Sequence, residues 1–398
     1  MKRNINNDIM HPEYVGKAYS NDASASSFGW NFQYNAGIFL FLKYSDDVLT
    51  VEIENDEQDI VLELRGGKHL YAQAKSVQDY SVLDAGDKNA KIKDAIVSLS
   101  NTAAKDIDGQ FIFISNIKEP IVDEDGLSRS RVICYSELNQ SSQTQIDCLF
   151  KALEEKMIAS ITDVENNKHY SQETKVNKIA RIQNDLNSLK VLSNNKDKFY
   201  LSTVVPYKGG SERFDVIKEE LTTFLDKLNF SRNKITIISN RYLDYLKATF
   251  ETDAGLKPKE DYKKMRTSEL IWPISSILVY ENKSYSEVDK YLSFTPDPSN
   301  VEVMNEYFND EQFIYHTRFE FSNSVIQRYK EFRKTYKNKD NVVGAFLNDF
   351  WSLFKGEFDD KKLSDENLEY LTKFYLFKII TIRDDVENLC NWLGKDRL

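Results

Sequence analysis

The sequence predicts an α/β fold in which a mixed sheet is flanked by helices and followed by a mostly helical C-terminal region. Three observations predict it. An apolar helix over residues 28–42 precedes two segments, 49–54 and 59–64, that alternate as half-buried strands do. The pair Gly66-Gly67 marks a turn into a returning strand over 69–75. Beyond residue 300, apolar residues recur at the three- and four-residue spacing of helices.

The rest of the chain continues this order of elements. Hydrophobic spacing predicts helices over 89–104, 146–161, 179–189 and 215–228, and strands over 111–115, 131–135, 199–205 and 234–239. We expect a flexible, Ser- and Asn-rich N-terminal arm over 1–27. A core domain with a helical extension should follow over 28–230, and a helical region that contacts partners or forms oligomers over 231–398.

The C-terminal region carries two apolar stripes at helical spacing. The first stripe comprises Val343, Phe346, Leu347, Phe350, Trp351 and Phe354, and the second begins with Leu368, Leu371, Phe374 and Tyr375. Such stripes are typical of an internal core or of a contact between subunits, and far less of a cofactor site.

The net charge limits how the chain could bind nucleic acid. The 398 residues contain 53 basic and 63 acidic side chains, a net charge of −10. A passive nucleic-acid binder is usually basic, because neutralising phosphates drives that binding. Contact with DNA would therefore need a local basic patch, a basic partner or an oligomer. Residues 168–198 hold seven Lys or Arg and three acids, which fits either a solvated helix face or a track for phosphates.

Several classes of protein are disfavoured by what the sequence lacks. No apolar run approaches the ~20 residues of a membrane-spanning helix, and the first residues lack the apolar stretch of a secretory signal. Three cysteines at no metal or redox spacing suggest a reducing cytoplasm. The phosphate-loop, dinucleotide-binding and nucleophile-elbow motifs are absent, and the four histidines are far apart. ATPases, dehydrogenases, α/β-hydrolases and zinc hydrolases are thereby less favoured.

One group of polar residues on the predicted hairpin could carry chemistry. Gln73 and Lys75 lie two residues apart on one strand and therefore project to one face. Asp59 begins the preceding strand, and Glu54 ends the strand before it. Carboxylate and amide oxygens suit Mg²⁺, which needs one or two carboxylates together with water and substrate phosphate. A neighbouring lysine could orient the attacking hydroxide and stabilise developing negative charge.

Two other interpretations of the same residues, neither of them catalytic, remain open. A hairpin at the edge of the sheet, with Asp, Gln and Lys on its solvent-exposed face and no catalytic role, would have the same sequence pattern. A calcium loop over Asn55–Asp59 is a further possibility, although it lacks the glycine and the bidentate glutamate of an EF-hand. The acids from Asp46 to Glu63 number eight, without a Lys or Arg among them, and such a cluster repels itself unless a cation lies in it.

At these positions the sequence resembles the restriction-endonuclease-like, or PD-(D/E)xK, effector nucleases of bacterial anti-phage systems. The resemblance covers residues 28–115, through Gly29-x-x-Phe32-Gln33, Val51-Glu52-Ile53-Glu54, Asp59-Ile60 and Tyr71-Ala72-Gln73-Ala74-Lys75-Ser76. These nucleases include the nuclease subunit of Lamassu systems and the nuclease domain that CBASS effectors fuse to a SAVED domain. The C-terminal residues do not resemble a SAVED domain, which favours the Lamassu-type subunit.

The resemblance implies a fold, a site and partners. It implies a restriction-endonuclease-like sheet with Gln33, Glu54, Asp59, Gln73 and Lys75 as catalytic residues. Glu54, Asp59 and Gln73 would bind Mg²⁺, with Mn²⁺ as a substitute, and Glu52 competes with Glu54 for the first carboxylate. The chain would hydrolyse phosphodiester bonds of double-stranded DNA as a cytoplasmic antiviral effector, once it is released or oligomerised. Its partners would be DNA, further copies of itself, and an SMC-like ATPase with an accessory subunit from the same operon.

Two other functions compete with the nuclease. The chain could be a non-catalytic interaction subunit of a defence complex, acting through its aromatic C-terminal helices. It could also be a stand-alone restriction endonuclease.

Overall fold

The structure is a computed structural model, and it describes most of the chain from residue 23 onward. The described residues are 23–54, 57–76, 85–116, 132–204, 215–255, 264–281, 291, 319–336, 341–358 and 363–394. The first helix begins at Ala23, inside the segment expected to be a flexible arm. Residues 1–22 of that expected arm lie outside the described part.

The elements of the N-terminal half follow the predicted order. They are α1 (Ala23–Lys43), β1 (Val48–Ile53), β2 (Ile60–Leu64), β3 (Lys68–Lys75), α2 (Ala85–Ala103), β4 (Gln110–Ser115), β5 (Val132–Cys134), α3 (Gln140–Asn166), α4 (Gln172–Asn194) and β6 (Phe199–Thr203).

The remaining described elements are nearly all helical. They are α5 (Asp215–Lys227), α6 (Arg232–Gly255), the short strand β7 (Met265–Arg266), α7 (Thr267–Ile271), α8 (Pro273–Glu281), α9 (Phe319–Thr335), α10 (Val342–Phe354), α11 (Asp365–Thr381) and α12 (Arg383–Leu393).

The seven strands among the described residues form one mixed sheet. Its order is β5-β6-β4-β3-β2-β1-β7. Strands β1, β2 and β3 form an antiparallel meander, whereas β4 is parallel to both β3 and β6. The crossover from β3 to β4 contains α2, as a parallel connection requires. The predicted α/β class with a mixed sheet and a helical C-terminal region is therefore confirmed.

Helices cover both faces of this sheet. On one face α1, α5 and α6 pack against apolar residues such as Ile53, Ile60 and Ile112. On the other face α2 and the adjoining ends of α3 and α4 cover Tyr71, Phe113 and their neighbours. The alternation of strand residues thus divides the core into two apolar layers.

The buried helix α1 is apolar nearly all round, which is typical of a helix enclosed on every side. Ile38, Phe39, Leu40 and Phe41 are all fully buried. Gly37 lets the helix approach the sheet closely, since a Cβ there would lie 2.5 Å from Ile53 Cδ1 and 3.2 Å from the Phe250 ring.

The C-terminal helices join the same apolar core. Buried residues of α9 to α12 belong to one continuous cluster with α1, α5 and α6, so apolar contacts extend across position 230. Helix α11 is buried on almost every side, and it includes Lys373, whose ammonium lies 2.5 Å from Glu369 Oε1 and 2.7 Å from Asn348 Oδ1. These contacts compensate the cost of burying the charge.

One strand prediction is wrong. Residues 234–239 lie inside helix α6, although Ile235, Thr236, Ile237 and Ile238 form a β-branched run of the kind that favours strands. Ile235, Ile238 and Tyr242 are buried at helical spacing, whereas Ile237 is exposed. Tertiary packing of that helical stripe outweighs the local preference.

Within the described residues, no helix combines the length and the apolar character needed to cross a membrane.

Two glycines of α1 give a matched test of its packing. We expect Gly29→Ala to stabilise the protein by about 0.5–1 kcal/mol, because alanine favours helix and nothing lies within 4 Å of its Cβ position. Gly37→Leu should destabilise it by about 1–3 kcal/mol through overpacking. Urea denaturation of both variants measures the difference. Equal effects of the two substitutions would contradict this packing of α1.

Candidate active site

The candidate site is built on the β2–β3 hairpin. Gly66 and Gly67 form the turn with φ of 78° and 71°, a conformation that glycine adopts without strain. The turn sets the register, in which Ile60 lies opposite Ala72. Continued by one residue, this register places Asp59 opposite Gln73, on the face covered by α2.

Asp59 is the central group of the site. Its Oδ2 accepts a hydrogen bond of 2.8 Å from the main-chain N–H of Ala74 and another from Gln73 Nε2. The side chain of Gln33 also hydrogen-bonds to Asp59, reaching the sheet edge from α1 on the opposite face. Gln73 is only 5% exposed, so its amide lies in the packed interior beside Asp59.

The pKa of Asp59 lies above its ordinary range. Burial of the carboxyl raises this pKa, because desolvation disfavours the charged form. The ammonium of Lys75, the Ala74 N–H and the Gln33 side chain lower it, but together they do not offset the burial. A cation added beside Asp59 would favour the carboxylate that the protein alone stabilises poorly.

Lys75 begins a polar row across three parallel strands. The register aligns Lys75 of β3 with Ser115 of β4, and Ser115 with Thr203 of β6. The row lies at the carboxyl edge of the sheet, where α/β proteins usually bind ligands. Sequence reasoning missed Ser115 and Thr203. The sequence could have indicated both residues, because each is a polar residue that follows the apolar residues of its strand.

The two candidate glutamates have different surroundings. The main-chain N–H of Glu54 donates to the Asp59 carbonyl at 2.7 Å, and Glu54 has a left-handed φ of 56°. Such a conformation is unusual for a residue other than glycine and is often found at functional sites. Glu52 instead forms an ion pair of 3.2 Å with Lys264, which also lies 3.8 Å from Glu63. Its carboxylate is thus already paired with a cation next to β7.

The structure therefore brings Gln33, Gln73 and Lys75 around Asp59. Glu54 is joined to that group through its main chain. The site thus combines the Asp59 carboxyl, the buried Gln73 amide and the Lys75 ammonium on one hairpin, with Gln33 added from α1.

The oxygens around Asp59 are of the kind that Mg²⁺ binds. No group of three His, Cys, Asp or Glu side chains suited to a metal occurs in the described residues. Mg²⁺ nevertheless uses one or two carboxylates and takes its remaining ligands from water and substrate phosphate. Asp59 would supply a carboxylate oxygen, and Gln73 its amide oxygen once the amide turns. Glu54, whose main-chain N–H donates to the Asp59 carbonyl, is the candidate second acid.

Asp59 should make stability depend on pH in a specific direction. Because its folded pKa is raised, the folded state takes up this proton at a higher pH than the unfolded state does. The stability of the wild type relative to Asp59→Asn should therefore rise as the pH falls from 7 toward the ordinary carboxyl pKa of about 4. Chemical denaturation of both proteins across this range measures it. A relative loss on acidification would show a lowered pKa instead.

The chain matches no protein-family model, no curated protein and no solved structure. Its function is therefore inferred from the residues and geometry given above.

Proposed function

We propose that this chain is a metal-dependent endonuclease with a restriction-endonuclease-like core, which hydrolyses phosphodiester bonds of double-stranded DNA. The observation that carries the proposal is the grouping of Asp59, Gln73 and Lys75 at one sheet edge, with Gln33 on the same carboxyl. The order of one helix, three antiparallel strands, a helix and a parallel strand also supports it.

Each of these residues has a distinct part in the proposed hydrolysis. A water oxygen attacks phosphorus and releases a proton to solvent, the P–O bond to the leaving strand breaks, and the leaving oxygen takes a proton from solvent. Mg²⁺ held by Asp59 and Gln73, with Glu54 as the candidate second acid, would act as a Lewis acid on the phosphate. The ammonium of Lys75 stabilises negative charge on the phosphoryl oxygens. Gln33 fixes the orientation of the Asp59 carboxyl.

The polar side chains at the carboxyl edge of the sheet suit a DNA substrate, whereas the net charge of the chain opposes one. The half-buried Thr203 continues the row from Lys75, with the buried Ser115 between them, and hydroxyls such as that of Thr203 commonly contact phosphate oxygens. A net charge of −10 opposes the approach of a polyanion to one copy. We therefore propose that activity requires assembly with further copies, and release by the SMC-like ATPase and accessory subunit that the resemblance implies.

The described C-terminal aromatics give no particular support to a purely non-catalytic subunit. Phe346, Phe374 and Tyr375 are buried within the chain's own core. Their stripes are thus used in holding the fold together, and the nuclease remains the function we propose.

Loss of the Lys75 ammonium should slow cleavage strongly without unfolding the protein. We expect Lys75→Ala to lower the cleavage rate by about 10²–10³-fold, the usual cost of removing one group that stabilises transition-state charge. Stability should change by less than about 1 kcal/mol, because this half-buried side chain leaves no cavity. Plasmid cleavage with Mg²⁺, in the presence of the operon partners, measures the rate.

Lys68→Ala is the matched control, since Lys68 is an exposed lysine at the opposite end of the same strand. Cleavage by Lys75→Ala at the rate of the Lys68→Ala protein would exclude Lys75 from the site.

Removal of the central carboxylate should abolish metal binding. Titration calorimetry should show that Mn²⁺ binds to the wild type and not to Asp59→Ala. Binding to the wild type should strengthen as the pH rises, because the proton on Asp59 competes with the metal. Plasmid cleavage should stop in EDTA. Unchanged Mn²⁺ binding by Asp59→Ala would show that Asp59 is not a ligand.

A further inference from the structure

Helix α1 leaves the core beside the candidate site. Every residue from Tyr34 to Leu42 is buried, whereas residues 28–31 are half-buried or exposed. Gln33 lies at the boundary, and its side chain hydrogen-bonds to Asp59. Because side chains on a helix are tilted toward its N-terminus, the Gln33 amide lies beside the emerging end of α1. That end therefore adjoins the carboxyl that would hold the metal ion.

Trp30 projects from this emerging end. It is 45% exposed, which makes it the most exposed aromatic residue among those that the structure describes. Trp30 precedes Gln33 by three residues, so the two lie about 60° apart around the helix and about 4.5 Å apart along its axis. The indole ring and the amide that contacts Asp59 are therefore on the same side of α1.

Gly29 leaves open space on the same side of the helix. It precedes Gln33 by four residues and lies about 40° from it, in the direction away from Trp30. Among the described residues, no atom beyond the helix backbone and the adjacent residues lies within 4 Å of the position that a Cβ would take there. Its φ is not positive, so the backbone does not require glycine. A helical glycine of this kind weakens the helix but lets a ligand approach the backbone closely.

The charge around these residues does not oppose nucleic acid. None of the 21 residues of α1 is an Asp or a Glu, although the chain has a net charge of −10. The half-buried residues that follow Trp30 toward the core, Asn31 and Gln33, are polar. Surfaces that bind other proteins are usually larger apolar patches. A single aromatic ring among polar side chains instead fits the face of a nucleobase.

We propose that Trp30 and Gly29 form the contact for an unpaired nucleobase next to the scissile phosphate. The inference rests on the proposed nuclease, because Gln33 connects this side of α1 to Asp59. The base lies over Gly29 and stacks on the Trp30 ring, which accepts any base because every base has a π-face. A paired base must first leave its stack, at a cost that is least for a mismatched or single-stranded base. The preferred substrate is therefore duplex DNA with an unpaired base beside the cleaved bond.

A photochemical cross-link tests this contact without relying on cleavage. The probe is a duplex that contains one unpaired 5-iodouracil, a base that ultraviolet light couples to an aromatic side chain stacked on it. The full chain is irradiated with excess probe in EDTA, with and without the operon partners. A salt concentration of about 0.15 M limits repulsion between the acidic chain and DNA to about 8 Å.

Mass spectrometry should locate the cross-link at Trp30. The cross-link should be lost in Trp30→Leu, which keeps an apolar side chain without a ring, and retained in Trp30→Phe. A probe in which the same base is paired should give a yield about 10-fold lower. Gly29→Leu should also lower the yield about 10-fold by filling the open space, whereas Gly356→Leu, at another glycine with nothing nearby, should not. Circular dichroism checks that each variant is folded.

The absence of a cross-link at Trp30 in both mixtures would overturn the proposal. Equal yields from the paired and unpaired probes would overturn it as well, as would an unchanged yield in Gly29→Leu. If Trp30→Leu lost binding to the operon partners and the wild type gave no cross-link to DNA, Trp30 would be a protein contact instead.

The same measurements separate this proposal from the proposed nuclease. A cross-link at Trp30 in a chain that does not cleave DNA with Mg²⁺ would support the base contact and contradict the nuclease. Cleavage without a cross-link would contradict the base contact alone.

Discussion

The register of the β2–β3 hairpin is the constraint on which the candidate site depends. Side chains alternate along a strand, so a slip of one residue would transfer Gln73 and Lys75 to the opposite face. The positive φ angles of Gly66 and Gly67 hold that register at one end. At the other end the Ala74 N–H holds the Asp59 carboxyl, and the Glu54 N–H holds the Asp59 carbonyl. The hairpin is thus fixed by glycine at its turn and by hydrogen bonds at its site.

The same contacts place a carboxyl where the protein alone does not favour its charge. Burial raises the pKa of Asp59 despite the nearby Lys75 ammonium. The ionised carboxyl of Asp59 therefore costs folding stability at neutral pH, and carboxyls with perturbed pKa values are often found at functional sites. Apolar burial in the surrounding core offsets this loss of folding free energy, because α1, α5, α6 and the C-terminal helices enclose the other face of the sheet in one apolar cluster.

Local patterns were sufficient to predict much of the first half of the chain. Alternation along β1 to β3, the Gly66-Gly67 turn and the apolar α1 each depend on neighbouring residues, and the hairpin brings Asp59, Gln73 and Lys75 together as the spacing implied. Contacts between distant segments were not visible. The ion pair of Glu52 with Lys264 joins residues more than 200 positions apart, and the alignment of Lys75 with Ser115 and Thr203 requires the parallel register. At residues 234–239 the β-branched composition led to a wrong prediction of a strand, because packing of these residues against α1 and α8 favours a helix.

Iron-directed cleavage of the protein tests most directly whether Asp59 and Gln73 form a cation site. Fe²⁺ bound in place of Mg²⁺, with ascorbate and peroxide, generates radicals that cut the backbone near the ion. If Asp59 and Gln73 hold the ion, cuts should appear close to both residues, on both strands of the hairpin. Excess Mg²⁺ should suppress these cuts, and Asp59→Ala should abolish them. Cuts elsewhere in the chain, or none that Mg²⁺ suppresses, would contradict a cation site at these residues.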